Sequence, residues 1–410
     1  MRKIDLAGIG ARLVAAALVI GAASCTRPPP PAAAKPPVEP NVEARRVEAA
    51  ADAVYAQSLA SGMVMSVVHG DQAGALAYGR QDPEDARPAD ARTLVRLQSV
   101  SKLLTADLLA SLVSQGRVKL ADPMEAYAPP GWKAPRTAAD NPPITLLNLA
   151  THTSGLPREA SIKPGPLAVP AQTARWAWLA IQRRLPAPGR GALYSNIAFD
   201  LLGDALSFAA KTPYGAALNA EVTGPLKMSD TTATPSPAQC RRMMAGDPNR
   251  RPYPCVDQSG EAASGGLYST ANDMALWLRA EVAPDAEQGR RAVSQVVYVR
   301  RDALASAIGL DHAGPASGVG LAWIEQDASP GRPRLLEKTG GGGGFLTYVV
   351  IDPVHRAAVF VGFNNVSGRR LGAVAEAADE LVILLATEPD SIVIPGAPPV
   401  AGEPAGPPAH

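Results

Sequence analysis

Three short elements, Ser99-Val100-Ser101-Lys102, Tyr194-Ser195-Asn196 and Lys338-Thr339-Gly340, constrain this chain more than anything else in it. Each supplies part of a covalent acyl-transfer chemistry that the others complete: a hydroxyl, an amine, an amide, a second cation. They span about 240 residues and must still meet in space, which calls for one composite catalytic unit rather than independent domains.

A serine hydroxyl is a weak nucleophile at its free pKa and needs a base within hydrogen-bond reach. Lys102 lies one helical turn beyond Ser99, on the same face. A lysine at its reference pKa of about 10.4 is protonated and useless as a base, so burial and a nearby cation must depress it. Lys338 is expected to be that cation. Alone, Ser-x-x-Lys describes a capped helix start with a solvated lysine; the other two elements change its meaning. Tyr194 offers a second acid/base hydroxyl, and Asn196 an amide able to hold Lys102 and a substrate carbonyl. The same residues suit a helix beginning near Ile197, where Ser and Asn are common caps, and both readings can hold together.

Lys338 and Thr339 are expected to bind a substrate carboxylate, while the N–H groups of Ser99 and Gly341 face a developing oxyanion. Lys338-Thr339-Gly340 ends a strand and opens a run of five glycines, Gly340 to Gly344. Such a run disfavours an ordinary strand and suits close approach by an extended peptide along a sheet edge. A phosphate loop is the rival, but its lysine follows the glycines and leads into a helix; here the lysine precedes them and a strand follows. His152 and Asp200 suggest a Ser-His-Asp triad, yet there is no Gly-x-Ser-x-Gly elbow. His152 is read instead as a loop brace, and Asp200 as satisfied within its helix.

The chain has 39 basic and 38 acidic residues, a net charge of +1 and 5% aromatics, which excludes the basic surface and stacking platforms of nucleic-acid binding. No cofactor or metal is called for. Arg2, Lys3 and Arg12 precede an apolar run from Leu13 to Ala23, so residues 1–24 read as an export signal, too short to span a bilayer comfortably. Ala22-Ala23-Ser24-Cys25 is lipobox-like, with Ala22 where Leu is usual. Cys25 is therefore expected to carry lipid and tether the chain to a membrane, the alternative being ordinary cleavage after Ser24. Residues 25–45, proline-rich from Pro28 to Pro40, read as a stiff tether. The Pro/Gly-rich tail, 391–410, reads as disordered. Cys240 and Cys255 flank a turn-rich stretch and are expected to form a structural disulfide, worth roughly 3 kcal/mol for a loop of about 15 residues. A metal site there would need histidines the stretch lacks.

Strands are expected at Gly62–His69 and Ala73–Gly79, joined by Gly70-Asp71, and later at Val319–Glu325, Arg334–Thr339, Leu346–Ile351 and Ala357–Phe363. Apolar residues Val100, Leu104, Leu108 and Leu112 predict that Ser99 opens a helix stopped at Gly116. Helical patches, Trp176–Arg184 and Phe199–Phe208 among them, fill about 121–250, and a last helix covers about Leu371–Ala386. The fold class is α/β: within a domain at 46–390, an antiparallel sheet flanked by helices is split by a mostly helical insertion, with the site at the junction.

Several longer stretches carry a resemblance: Leu120-Ala121-Asp122-Pro123, Tyr127-Ala128-Pro129-Pro130-Gly131, Asn148 to Ser154, Tyr194 to Leu202, Thr234-Pro235-Ser236-Pro237, Gln239-Cys240-Arg241-Arg242 and Lys338 to Phe345. In these, from Gly62 to Pro395, the chain resembles the class C β-lactamase and low-molecular-weight penicillin-binding protein superfamily, and its D-alanyl-D-alanine carboxypeptidase/endopeptidase branch. The resemblance implies a β-lactamase/transpeptidase-like fold in the periplasm, acting on peptidoglycan muropeptides. Ser99 would be the nucleophile, Lys102 and Tyr194 the proton carriers, and Lys338 with Thr339 the carboxylate clamp. β-Lactams mimic D-Ala-D-Ala and would acylate Ser99, with slow hydrolysis giving weak β-lactamase activity. A true β-lactamase, a short-acyl esterase and a non-catalytic penicillin-sensing or wall-binding module are the alternatives, distinguished by the fate of the acyl-enzyme.

Overall fold

A computed structural model describes residues 42–387 except 83, 85, 133–141, 162–171, 183–184, 247–253, 285–288 and 365–369, together with Ile394. The expected export signal, Cys25 and nearly all of the proline tether lie outside the described residues, as do the end of the Trp176–Arg184 patch and most of the tail. In chain order the helices are α1 (Val42–Ser58), α2 (Ser101–Ser114), α3 (Leu146–Ala150), α4 (Gln172–Ala180), α5 (Asn196–Ala210), α6 (Tyr214–Leu218), α7 (Pro237–Cys240), α8 (Ala271–Glu281), α9 (Arg291–Ser294) and α10 (Leu371–Thr387). The strands are β1 (Gly62–His69), β2 (Gln72–Gly79), β3 (Val95–Arg96), β4 (Ala192–Leu193), β5 (Tyr268–Ser269), β6 (Val299–Arg300), β7 (Ala307–Ile308), β8 (Gly318–Val319), β9 (Ile324–Gln326), β10 (Leu335–Gly342), β11 (Phe345–Asp352) and β12 (Ala357–Asn364).

Eight strands form one antiparallel sheet in the order β2-β1-β12-β11-β10-β9-β8-β6. The chain thus builds one end of the sheet first, leaves it for the helices, and returns to insert β12 beside β1. Side chains alternate across a strand, so each strand feeds two cores. From β1, Met63, Met65 and Val67 enter a core with Val47 and Val54 of α1 and Leu381 and Leu385 of α10. Val64 and Val68 point the other way, into the larger core of α2, α5 and α8. Burial on both faces explains why β1, β11 and β12 read as near-continuous apolar runs.

Several expectations need correction. Ser99 lies in a 3-10 turn over Gln98–Val100, and the α-helix proper starts at Ser101. That helix is buried on all sides, Lys102, Thr105 and Asp107 included, rather than along one apolar stripe; it ends as expected, with Gly116 at φ +69°. The strand expected over Val319–Glu325 is two short strands, β8 and β9, folded back at a turn where Ala322 has φ +62°. Helix α1 begins at Val42, inside the stretch read as tether. Ile394, inside the stretch read as disordered tail, is buried in the α1–α10 core, its N–H donating to Gln72 Oε1 at 3.1 Å. Between α2 and β5 the chain forms α3 to α7 with only β4 as strand, and α8 and α9 follow β5.

Candidate active site

Strand β10 runs directly behind the turn that carries Ser99. A side-chain carbon on Gly340 would stand 2.8 Å from the Leu97 carbonyl oxygen and 2.2 Å from Thr347 Oγ1. Glycine is required there so that β10 can approach the chain's own serine turn, a nearer cause than the expected approach by a substrate peptide. Thr347, opposite Gly340 on β11, donates to Leu97 O at 2.8 Å, and Gln98 Nε2 donates to Gly342 O at 3.0 Å. Gln98 itself is left-handed, at φ +52°. The strand does not end at Gly340: pairing with Phe345–Leu346 carries it to Gly342, and only Gly343 and Gly344, with φ of +56° and +82°, make the turn.

Lys102 Nζ lies 3.2 Å from Ser99 Oγ and 2.7 Å from Asn196 Oδ1, and it donates to the backbone carbonyl of Ser264. A neutral amine has two N–H donors and one lone pair. The Asn196 and Ser264 oxygens take the two donors, leaving the lone pair for Ser99. Lys102 is fully buried, and this desolvation pulls its pKa down to about 7, against the opposing attraction of Asp200 and Glu159. The cation that lowers it further is Arg158. The expectation for Lys338 is thus revised: that residue is itself depressed, chiefly by burial, with Lys102 contributing.

Helix α5 brings in the second element. Ser195 caps it, its side chain accepting from Ala198 N at 3.1 Å, so the capping and the site-building readings both hold. Asn196 Nδ2 donates to Glu159 Oε1 at 2.5 Å, which fixes the amide with its oxygen toward Lys102. The Tyr194 ring is the hub. Lys102 Nζ is 5.0 Å, Lys338 Nζ 4.7 Å and the Arg158 guanidinium 4.9 Å from its centroid, and His152 stacks on it at 4.4 Å. His152 is buried with Nδ1 accepting from Ser195 N at 3.1 Å, and burial holds its pKa well below the ordinary value. A neutral ring bonded to the backbone and packed on Tyr194 is a brace, as read from the sequence.

Strand β9 pairs only with Leu335–Glu337 of β10, so from Lys338 to Gly342 the β9 side of the strand is unpaired among the described residues. Thr339, Gly340 and Gly341 lie on that open stretch beside Ser99. Such an edge accepts an extended peptide by main-chain hydrogen bonds.

Residues 45–383 match the β-lactamase family. The chain belongs to the β-lactamase family. It is 38% identical over 356 residues to the D-alanyl-D-alanine-carboxypeptidase/endopeptidase AmpH of Escherichia coli (strain K12), covering 85% of this chain and 91% of that protein. A crystal structure of a β-lactamase/D-alanine carboxypeptidase from Yersinia pestis superposes with a TM-score of 0.77 at 36% identity, over 84% of this chain and 98% of that one. The esterase EstB of Burkholderia gladioli is 29% identical over 349 residues, 72% of this chain and 84% of that protein. These likenesses agree with the sheet and helices described above and establish the β-lactamase/transpeptidase-like fold.

For this β-lactamase-family chain, sequence reasoning missed Arg158, Glu159 and the Ser264 carbonyl. Arg158 and Glu159 follow the Thr151–Gly155 loop without a pattern that marks them; Arg158 O also accepts from Asn196 N at 2.8 Å. Ser264 acts through its backbone, which no residue type reveals. Away from the site, Cys240 and Cys255 are bonded, with Cα atoms 5.6 Å apart.

Proposed function

We propose that this chain is a serine D,D-peptidase of peptidoglycan, releasing terminal D-Ala and cutting D-Ala cross-links, with β-lactams as slowly hydrolysed pseudo-substrates. The observation that carries the reading is the buried Lys102 amine, its donors on Asn196 and Ser264 and its lone pair toward Ser99 Oγ at 3.2 Å, beside an unpaired strand edge. The likeness to the Escherichia coli and Yersinia pestis proteins supports the substrate class.

In this reading Lys102 takes the Ser99 proton while Oγ attacks the carbonyl carbon of the penultimate D-Ala. The N–H groups of Ser99 and Gly341 receive the oxyanion; one such donor is worth about 3 to 4 kcal/mol in the transition state. Lys338 and Thr339 hold the terminal carboxylate. Tyr194 returns a proton to the departing amine, and water then cleaves the ester and frees Ser99. The family suggests a periplasmic location reached through the export signal, with Cys25 as the lipid anchor.

Mass spectrometry of pentapeptide muropeptides incubated with the purified protein, with a fluorescent penicillin in parallel and Ser99→Ala as control, tests this. Loss of one D-Ala and slowly reversing, Ser99-dependent labelling are expected. Rapid penicillin turnover without D-Ala release would make the chain a β-lactamase. Hydrolysis confined to short acyl esters would make it an esterase, and label that never leaves would make it a sensor.

A further inference from the structure

Lys102 cannot act as a base without becoming an ammonium ion in a site that burial has emptied of water. Something must hold that charge, and the residues named so far do it poorly: Asn196 and the Ser264 carbonyl are neutral dipoles, and Glu159 is exposed, where solvent screens it. Asp200 stands one turn after Asn196 on α5, on the face of that helix turned toward Lys102. Its carboxyl is hydrogen-bonded to Ser264, the residue whose carbonyl binds the Lys102 amine. Its Oδ1 is buried without a hydrogen-bond partner, an arrangement that costs about 1–3 kcal/mol or more for a charged group and that a merely structural aspartate would avoid. The expectation that Asp200 is satisfied within its helix is thereby overturned.

We propose that Asp200 is a positioning residue for Lys102: its carboxylate, tied to the turn through Ser264, is the countercharge against which Lys102 holds the proton taken from Ser99. This rests on the reading of Lys102 as the base and deepens it. The charge balance is local: the proton moves from Ser99 Oγ to Lys102 Nζ, the negative charge passes to the substrate oxyanion, and Asp200 stabilises the ammonium left behind. The surroundings keep the carboxyl poised. Burial raises its pKa to about 7, with Glu261 pushing the same way, while Arg175 of α4, the Ser264 hydroxyl and Lys102 of α2 oppose. Tyr214 of α6 feels its charge and has its own pKa raised, mainly by burial. Arg175 is chiefly engaged elsewhere, bidentate to Asp204 at 2.6 and 3.2 Å, so it does not neutralise Asp200 outright.

The test is Asp200→Asn, read in two ways: NMR titration of isotope-labelled Lys102, assigned against Lys102→Ala, and the pH profile of acylation by a fluorescent penicillin. Loss of the countercharge lowers the Lys102 pKa, so its titration and the acidic limb of acylation both move down by about one pH unit. The plateau rate falls about tenfold, since one unit of pKa is a factor of ten in that stabilisation. Asp200→Glu, which keeps the charge, restores the limb. A Lys102 titration unchanged in Asp200→Asn would overturn the proposal. A titration that moves while the acylation limb stays fixed would support the coupling and reject Lys102 as the base. Should Asp200→Asn fail to fold, Ser264→Ala decides: cutting the tie raises the Asp200 pKa and must shift Lys102 the same way by less, and no shift would reject the idea.

Discussion

Two buried lysines flank the ring of Tyr194, at 5.0 and 4.7 Å from its centroid, and the protein surrounds them in opposite ways. The Lys102 amine is ringed by the protein's own oxygens, from Ser99, Asn196 and Ser264. Among the described residues no hydrogen bond reaches the Lys338 amine, which stands on the unpaired side-edge of β10. Burial depresses both. An amine whose donors are already engaged is preorganised to accept a proton from a fixed neighbour. One that is desolvated and left without an acceptor gains most from an incoming anion. The sequence makes the two look alike, and their settings assign them different work.

The sharpest way to break this contrast is to remove each amine in turn. Lys102→Ala should slow acylation by on the order of 10² to 10⁴ for every class of acyl donor, as general-base loss does. Stopped-flow labelling with a fluorescent penicillin measures it. Equal losses from Lys338→Ala across the same donors would erase the distinction.

Next in size is the effect of Lys338→Met on substrate choice. A charge-assisted hydrogen bond is worth about 1.5–3 kcal/mol, so kcat/KM for carboxylate-bearing substrates should fall about 10- to 100-fold. A short acyl ester without that carboxylate should be hydrolysed at close to the original rate. A uniform loss on both would show Lys338 acting on the chemistry, through Tyr194, and not on the anion.

How much of this was legible follows the same division. Ser99 and Lys102 are three residues apart on one turn, and Tyr194 and Asn196 enter a capped helix, so local spacing alone brings these pairs together. The disulfide and the strands β1, β2, β11 and β12 were equally readable, being set by turn residues and apolar runs. What failed depends on tertiary partners. Glycines 340–342 read as the end of a strand because intrinsic propensity is against them, but pairing with β11 and the close passage of Leu97 override it. The cation acting on Lys102 was misassigned because Arg158 reaches Tyr194 from a loop whose path no periodicity encodes.

Each buried lysine also has a buried carboxyl nearby, and the last prediction compares these. Glu337 precedes Lys338 on β10 and therefore points to the opposite face of the sheet, toward the α1–α10 side. It is buried, its Oε2 has no hydrogen-bond partner, and burial pushes its pKa up to about 8 despite attraction from Lys338. A free glutamate has a pKa of about 4.3, so over the window from there to about 8 the folded state holds a proton that the unfolded chain has lost. The contribution of Glu337 is thus intact below about pH 4 and declines as pH rises through about 8. Glu337→Gln stays neutral throughout and escapes that decline, while giving up some attraction to Lys338. Melting curves of the two proteins should coincide near pH 4 and separate toward pH 8, the variant gaining on the order of 1–2 kcal/mol, or a few degrees. Parallel curves at every pH would mean that Glu337 stays ionised, and that it serves Lys338 through the sheet much as Asp200 is proposed to serve Lys102.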